Sequence, residues 1–303
     1  MKKVVVTGGA GFIGSNLVDE LLDRGCEVII LDDLSTGKKE NINKNATFVH
    51  CDISKTVEHD GIDYVATQYF DNVDVIFHLA ALARVQPSID NPRPYNEANV
   101  TGTMNLLFAA HKAGVKKVVY SASSSCYGDT EIFPTPEDAP KNPLSPYGVQ
   151  KYIGEIYCKM FSEVYGLDTC SLRYFNVYGP RMAQEGAYAL VLAIWQRQFN
   201  NGEPLTITND GHQTRDFTHV SDVVQANVLA AEHPVRLNGE AFNVGNGDTI
   251  SINDVSKMIN SDAIYSEKRL EPRCTHADNT KIKDVLGWKP RGDLQKFIED
   301  TFK

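Results

Sequence analysis

The stretch Val5-Val6-Thr7-Gly8-Gly9-Ala10-Gly11-Phe12-Ile13-Gly14 decides the reading of this chain. A β-branched run ends at Thr7. Glycines follow in the spacing Gly-x-Gly-x-x-Gly through Gly9, Gly11 and Gly14, and Gly8 adds Gly-x-x-Gly-x-x-Gly. Between a strand and a helix such glycines let the chain turn sharply, let a pyrophosphate approach bare backbone, and let the helix pack close to its strand. The helix N-terminus, with Phe12 and Ile13 in its first turn, then faces the phosphates. Roughly 20 residues on, where a ribose-binding acid is expected, a second β-branched run ends in Ile30-Leu31-Asp32-Asp33. Asp32 can accept hydrogen bonds from both adenosine ribose hydroxyls, whereas a 2′-phosphate would meet like charge, so the pattern predicts NAD rather than NADP. Asp33 reads as a solvated turn residue. The competing reading is an α/β domain with an idle glycine turn.

Outward from this motif, short β-branched runs alternate with amphipathic stretches. Val4–Thr7, Glu27–Leu31, Thr47–Cys51, Val75–Leu79, Lys117–Ser121 and Thr169–Tyr174 read as strands, with helices at Gly11–Arg24, Ile62–Tyr69, Pro94–Ala113 and Pro146–Tyr165. The alternation predicts an α/β fold, a Rossmann-type doubly wound parallel sheet over residues 1–175, with crevices at the carboxyl ends of its strands. From residue 176 to 303 the rhythm breaks, and a helix near Tyr188–Asn200 and a strand at Leu205–Thr208 suggest a smaller, mixed α/β substrate domain. Segments near 218–232 and 241–244 are expected to return to the first sheet.

The bulk composition narrows the function. Thirty Lys and Arg against 39 Asp and Glu leave a net charge of −9 with no basic tract, so a nucleic-acid role has no electrostatic footprint. Met1-Lys2-Lys3-Val4-Val5-Val6 imitates a charged leader, but glycines interrupt it and it reads as a strand. No apolar run approaches the roughly 18 residues of a membrane span, and a cytoplasmic enzyme is expected. Six cysteines without a Cys-x-x-Cys pair suit reduced thiols, and eight histidines without zinc spacing predict no metal.

A candidate reaction centre lies in Ser145-Pro146-Tyr147-Gly148-Val149-Gln150-Lys151. Serine at an N-cap and proline at the first helical position start a helix that carries Tyr147 and Lys151 on one face. An ammonium one turn away and a cationic nicotinamide would both stabilise a phenolate, making Tyr147 a base near neutrality. The plain alternative is a packed tyrosine beside a solvent-facing lysine. Ahead of it, the fifth strand runs into Ser121-Ala122-Ser123-Ser124-Ser125-Cys126-Tyr127-Gly128, a hydroxyl cluster at the sheet edge that can orient a substrate hydroxyl or simply form a solvated turn.

Thr7 to Gly14, Ser123 to Gly128, and Tyr147 with Lys151 resemble the extended short-chain dehydrogenase/reductase superfamily over nearly the whole chain. Within it, His78-Leu79-Ala80-Ala81, Ser145-Pro146-Tyr147, Arg173 to Arg181 and Arg215-Asp216-Phe217 resemble the UDP-glucose / UDP-N-acetylglucosamine 4-epimerase family. That resemblance implies a UDP-hexose 4-epimerase with tightly bound NAD, acting on UDP-glucose and UDP-N-acetylglucosamine through a 4-keto sugar. It implies Ser123, Tyr147 and Lys151 as catalytic residues. For the cofactor it adds Asp33, Ser35, Thr36 and Gly37 beside Asp32, then Asp52 and Ile53, then Leu79, Ala80, Ala81 and Tyr174, and again Tyr147 and Lys151. For the substrate it implies Ser123, Ser124 and Ser125 near the sugar, with Asn99 either near it or supporting the site. Around the UDP it implies Asn176, backbone at Leu190 and Val191, Arg215, Arg273 and, less directly, Arg181. A guanidinium fork matches a diphosphate bidentately, although each arginine could equally be an exposed ion-pairing residue.

Related readings divide on particular positions. Dehydratases usually carry Thr-Asp-Glu where this chain has Ser123-Ser124-Ser125, and so lack of those carboxylates leaves elimination without its acid and base. Sugar-acid decarboxylases normally place a Glu in the same stretch. A non-catalytic NAD-binding regulator tends to lose the Tyr or Lys that are kept here. Thr275 resembles a small gate over the C2 substituent, which would admit an N-acetyl group. Against that, the segment between Arg273 and Thr275 is short for the family, and Ala83-Arg84 replaces a common Gly-Ser. Arg84 either meets substrate or reaches solvent, and solvent is the reading favoured. The resemblance also implies a homodimer through helices Pro94–Ala113 and Pro146–Tyr165, with Leu106, Leu107, Ile153 and Ile156 serving either that interface or the core.

Overall fold

Strand β1 (Lys3–Thr7) carries Val4, Val5 and Val6 without exposed surface, because helices cover both faces of a central parallel strand. The computed structural model describes residues 1–55, 57–59, 62–64, 67–183, 190–267 and 271–303. In chain order β1 is followed by α1 (Phe12–Asp23), β2 (Glu27–Asp32), β3 (Thr47–His50), β4 (Val75–His78), α2 (Gly102–Lys112), β5 (Lys117–Ser123), α3 (Pro146–Tyr165), β6 (Asp168–Tyr174), α4 (Val191–Asn200), α5 (Val220–Glu232) and β7 (Glu240–Val244). Seven strands form one parallel sheet in the order β7-β6-β5-β4-β1-β2-β3. The order reverses between β4 and β1, and Thr7 pairs with both Leu31 and His78 at that switch point, where a crevice opens in folds of this kind.

Each face of the sheet has its own core. On one side Leu17 and Leu21 of α1 and Val223 and Val224 of α5 pack with Val4, Val6, Phe242 and Trp288. On the other, Leu106 and Leu107 of α2 and Phe161 of α3 pack with Val5, Ile76 and Tyr120. Leu106 and Leu107 are therefore core residues of this chain. A third cluster, around Tyr178, Trp195, Phe217, Ile252 and Val255, lies outside the sheet beside α4. There Leu205–Thr208 pairs in parallel with Ala263–Ser266, and Ser251 caps the helix Ile252–Ile259 by accepting from Asp254 N.

Three expectations need correction. Ile62–Tyr69 is not a helix: Ile62–Tyr64 pairs antiparallel with Val57–His59, Thr67–Tyr69 is a single tight turn, and residues 65–66 lie outside the described residues. The intervening sequence Asp60-Gly61 is a hairpin signal that outweighs a weak helical period. The helix foreseen over Pro94–Ala113 runs unbroken from Pro92 to Lys112, but a π-turn at Glu97–Thr101 separates its first part, Pro92–Asn96, from α2. In that π-turn, Asn99 Oδ1 accepts from Leu82 N at 2.8 Å and Nδ2 donates to Leu82 O at 2.9 Å, so the widened turn lets one side chain hold a neighbouring loop. The helix begun near Tyr188 starts in the described residues at Val191, with 188–189 outside them. Among the described residues no helix is long and apolar enough to cross a membrane.

Candidate active site

The carboxyl ends of β1, β2, β4, β5 and β6 border a cleft of about 730 Å³. At one end lies the glycine turn. Gly8 has φ +69, and a Cβ there would stand 2.7 Å from Ala80 N, so only glycine lets the turn press against the end of β4. A Cβ on Gly14 would lie 2.1 Å from Gly8 O, which ties the tightness of the turn to the first turn of α1. No side chain caps α1, and Gly11, Phe12, Ile13 and Gly14 line the cleft, leaving its N-terminus to act on an anion.

Asp32, at the end of β2, lines the same cleft, with Oδ2 accepting from Ala10 N at 2.9 Å and Oδ1 from Leu34 N at 2.8 Å. Burial raises its pKa and those two bonds oppose the rise. Each oxygen keeps a lone pair, and together they can meet a vicinal diol. Gly37 approaches so closely that a Cβ would be 2.7 Å from Asp32 Oδ1. Asp33 holds a turn by accepting from Ser35 N at 2.9 Å and Ser35 Oγ at 2.6 Å, and Asp33, Ser35 and Thr36 reach the cleft. Asp52, Ile53, Leu79, Ala80, Ala81 and Tyr174 complete this part of the wall. The residues present fit a dinucleotide: a bare cradle at a helix N-terminus for its phosphates and a fixed carboxylate for its ribose.

The opposite part of the cleft carries hydroxyls and cations. Ser145 Oγ caps α3 by accepting from Gly148 N at 3.2 Å, Pro146 occupies the first turn, and Gly166 ends the helix at φ 70. This geometry turns Tyr147 and Lys151 toward the end of β5. Ser123 Oγ accepts from Ser125 N at 3.2 Å and from Ser125 Oγ at 2.8 Å, and it lines the cleft together with Tyr147. Ser124 and Ser125 line the cleft as well.

The electrostatics differ from the sequence expectation. Burial pushes the Tyr147 phenol up, opposed by the Ser123 hydrogen bond and by the charge of Arg84. Part of the Tyr147 ring remains open to the cleft, but its hydroxyl is closely surrounded, so the desolvation sets the direction. Lys151 is only 2% exposed, and burial pushes its ammonium down to about 7. Its Nζ lies 4.6 Å from the centre of the Tyr120 ring, whose π-face offers part of what water would. The lysine foreseen, with the nicotinamide, as a support of a phenolate is thus itself close to losing its proton.

On the far wall, Asn176 Nδ2 donates to Thr275 Oγ1 at 2.8 Å and to Asp216 O at 3.0 Å. Asn176, Leu190, Arg215 and Thr275 all line the cleft. The Arg215 fork meets Glu271 Oε2 at 2.5 Å. Glu271 is a cleft residue that sequence reasoning missed; no local pattern links it to an arginine 56 positions earlier. Arg84 also lines the cleft beside Ala83 and Val85, correcting the preference for solvent.

Arg273 and Arg181 stand elsewhere, whereas Asn99 takes the supporting place foreseen for it and Val191 follows the lining residue Leu190 directly. Asn99 is 1% exposed and braces Leu82 and Gln150 behind the wall, because its amide is consumed by protein partners. Val191 begins α4 and packs on the third core cluster. Arg273 is exposed, pairs with Asp210 at 2.8 Å, and is absent from the cleft lining. Arg181 is paired with Asp19.

A family model described as the NAD dependent epimerase/dehydratase family matches residues 4–245. The chain is 40% identical to a UDP-glucose 4-epimerase from Mycolicibacterium smegmatis, over 99% of this chain and 97% of that one. Two solved structures share the fold over 99% of this chain and 97% of theirs. One is the UDP-N-acetylglucosamine 4-epimerase from Methanobrevibacter ruminantium M1 in complex with UDP-N-acetylmuramic acid, at TM-score 0.91 and 37% identity. The other is the UDP-glucose 4-epimerase of Thermotoga maritima with UDP-glucose, at TM-score 0.89 and 38% identity.

Proposed function

The chain belongs to the NAD-dependent epimerase/dehydratase family, and from that premise we propose that it inverts C4 of UDP-hexoses, interconverting UDP-glucose with UDP-galactose. UDP-N-acetylglucosamine is a second substrate on this reading, since Thr275 leaves a small gate. The observation that carries the proposal is the convergence of Ser123, Tyr147 and Lys151 on the cleft that also contains the glycine turn and Asp32. Gly8, Gly11, Gly14 and Asp32 would hold NAD, with Asp33, Ser35, Thr36, Asp52 and Tyr174 around it. Asn176, Leu190 and Arg215 would hold the UDP.

NAD held there would supply reversible hydride chemistry at C4 and a positive ring that favours a phenolate. Tyr147 takes the proton of the 4-hydroxyl, while Ser123, in the same part of the cleft, holds the 4-oxygen in line. The 4-keto sugar then turns its other face and recovers its proton from Tyr147 on the same oxygen, so the proton ledger closes on one residue. The Ser123 hydroxyl and the Arg84 charge bias that phenol toward its charged form.

Residues 1–175, with the returns near 218–232 and 241–244, form the cofactor part of this assignment, and 176–303 the nucleotide-sugar part. We place the enzyme in the cytoplasm as a homodimer. Met104 on α2 and Val149 and Ile156 on α3 expose 36%, 41% and 51% of their surface, and a second copy would cover them. Incubating the purified protein with UDP-glucose and with UDP-N-acetylglucosamine, without added NAD, tests the reading. Chromatography should resolve the galacto-epimer of each; absence of both products even after NAD is supplied would refute it.

A further inference from the structure

Tyr120, in the middle of β5, is 1% exposed and directs its side chain onto α3. Its hydroxyl donates to Lys151 O at 3.2 Å, and the Lys151 ammonium lies 4.6 Å from the centre of its ring. One phenol therefore holds this lysine at both ends, main chain and side chain. The helix is notched to receive it: a Cβ on Gly154 would stand 2.2 Å from the Tyr120 hydroxyl oxygen, so α3 admits the phenol because position 154 carries none. Any ring would serve burial alone; the notch and the bond to Lys151 O place this one.

The groups around the ammonium set the ring apart. Along α3, burial pushes the Cys158 thiol up and keeps it neutral, and Glu155 gives its carboxylate to Arg173 on β6, with Arg173 Nε donating to Oε2 at 2.9 Å. Beside the ring, His78 on β4 lies 5.4 Å from it, fixed between Thr7 Oγ1 and Thr103 Oγ1 of α2. Burial pushes His78 down to about 3, so it adds no second cation near neutrality. Tyr147 on α3, Arg84 after β4 and Glu97 in the π-turn line the same cleft. An aromatic face carries partial negative charge without titrating, so it supports an ammonium at every working pH and takes up no proton of its own.

We propose that Tyr120 is a positioning residue for the reaction, one that fixes Lys151 at both ends and keeps its ammonium charged in the cleft. The inference rests on the epimerase reading above.

The test uses the NAD-retaining enzyme with Tyr120→Phe and with the same phenylalanine carrying one, two and three ring fluorines, which draw charge off the face at nearly constant shape. The carbon NMR signal of Lys151 Cε, assigned by its loss in Lys151→Arg, follows the ammonium with no sugar present. Tyr120→Phe should titrate close to wild type, and successive fluorines should lower the midpoint, by roughly one pH unit at three. Above the midpoint kcat/KM for UDP-glucose should fall in step, by roughly tenfold at three fluorines, and well below it should stay within about twofold, because the charged fraction changes only where the neutral form prevails. Disturbed packing would instead lower the rate alike on both sides of an unmoved midpoint. That outcome, or a moved midpoint with kcat/KM unchanged, would overturn the assignment. A midpoint that follows the fluorines, in an enzyme that turns over neither UDP-glucose nor UDP-N-acetylglucosamine, would sustain Tyr120 as the seat of Lys151 and remove the epimerase reading.

Discussion

At the scale of single residues, Tyr147 and Lys151 are two buried groups whose charged forms water no longer supports. Replacing Tyr147 with Phe leaves the ring's packing and removes the acid–base atom. We expect kcat to fall by roughly 10²–10⁴ with NAD still retained, and undiminished turnover would dismiss Tyr147 as the base. Lys151 permits a sharper test, since burial lowers its pKa from 10.5 to about 7. For a buried amine the cost to folding is fully present below the folded pKa, shrinks as pH climbs from about 7 toward 10.5, and is gone above it. Lys151→Met, with NAD stripped, should therefore raise Tm at about pH 6 and raise it less at about pH 9.5, while activity is lost. A gain independent of pH would mean that the ammonium is solvated. Asp32 shows the opposite economy, with backbone N–H groups holding a buried carboxylate ready for a diol.

At the scale of elements, His78 joins three of them. Its Nδ1 lies 2.8 Å from Thr7 Oγ1 at the end of β1, and its Nε2 lies 2.9 Å from Thr103 Oγ1 in α2. Full burial pushes its pKa from 6.5 down to about 3. Unfolding lets the imidazole take a proton, so this residue contributes a loss of stability as pH falls from about 6.5 toward 3 and none above that window. His78→Leu should be less stable than wild type at pH 7 by about 1–3 kcal/mol, because it removes a partner from two buried hydroxyls. Urea unfolding across pH 7 to 4.5 should nevertheless show a shallower decline than in wild type. Identical slopes would show that another group dominates acid unfolding.

At the scale of the whole molecule, the proposed homodimer would cover the exposed apolar residues Met104 on α2 and Val149 and Ile156 on α3. Ile156→Glu should halve the mass measured by sedimentation and leave the monomer folded, and a wild-type monomer would end that proposal. How much could be read beforehand follows from range. The glycine turn, the acid ending β2, and the Tyr147–Lys151 pair on a capped helix were legible because each is written within about a turn or a strand of its neighbours. The helix assigned to Ile62–Tyr69 failed on a weak period, and the long helix before Ala113 concealed a π-turn that leaves no compositional mark. The substrate wall was least legible, since Arg273 finds Asp210, Arg215 finds Glu271, and Asn99 spends its amide on Leu82 and Gln150. By itself, then, the sequence determined a parallel sheet, a dinucleotide cradle and a capped helix that carries Tyr147 and Lys151 on one face, because periodicity, caps and turn chemistry act locally. Only the tertiary structure decided which arginines face the cleft and how far each buried group is from its ordinary pKa, because ion pairing and desolvation depend on residues brought together from distant parts of the chain.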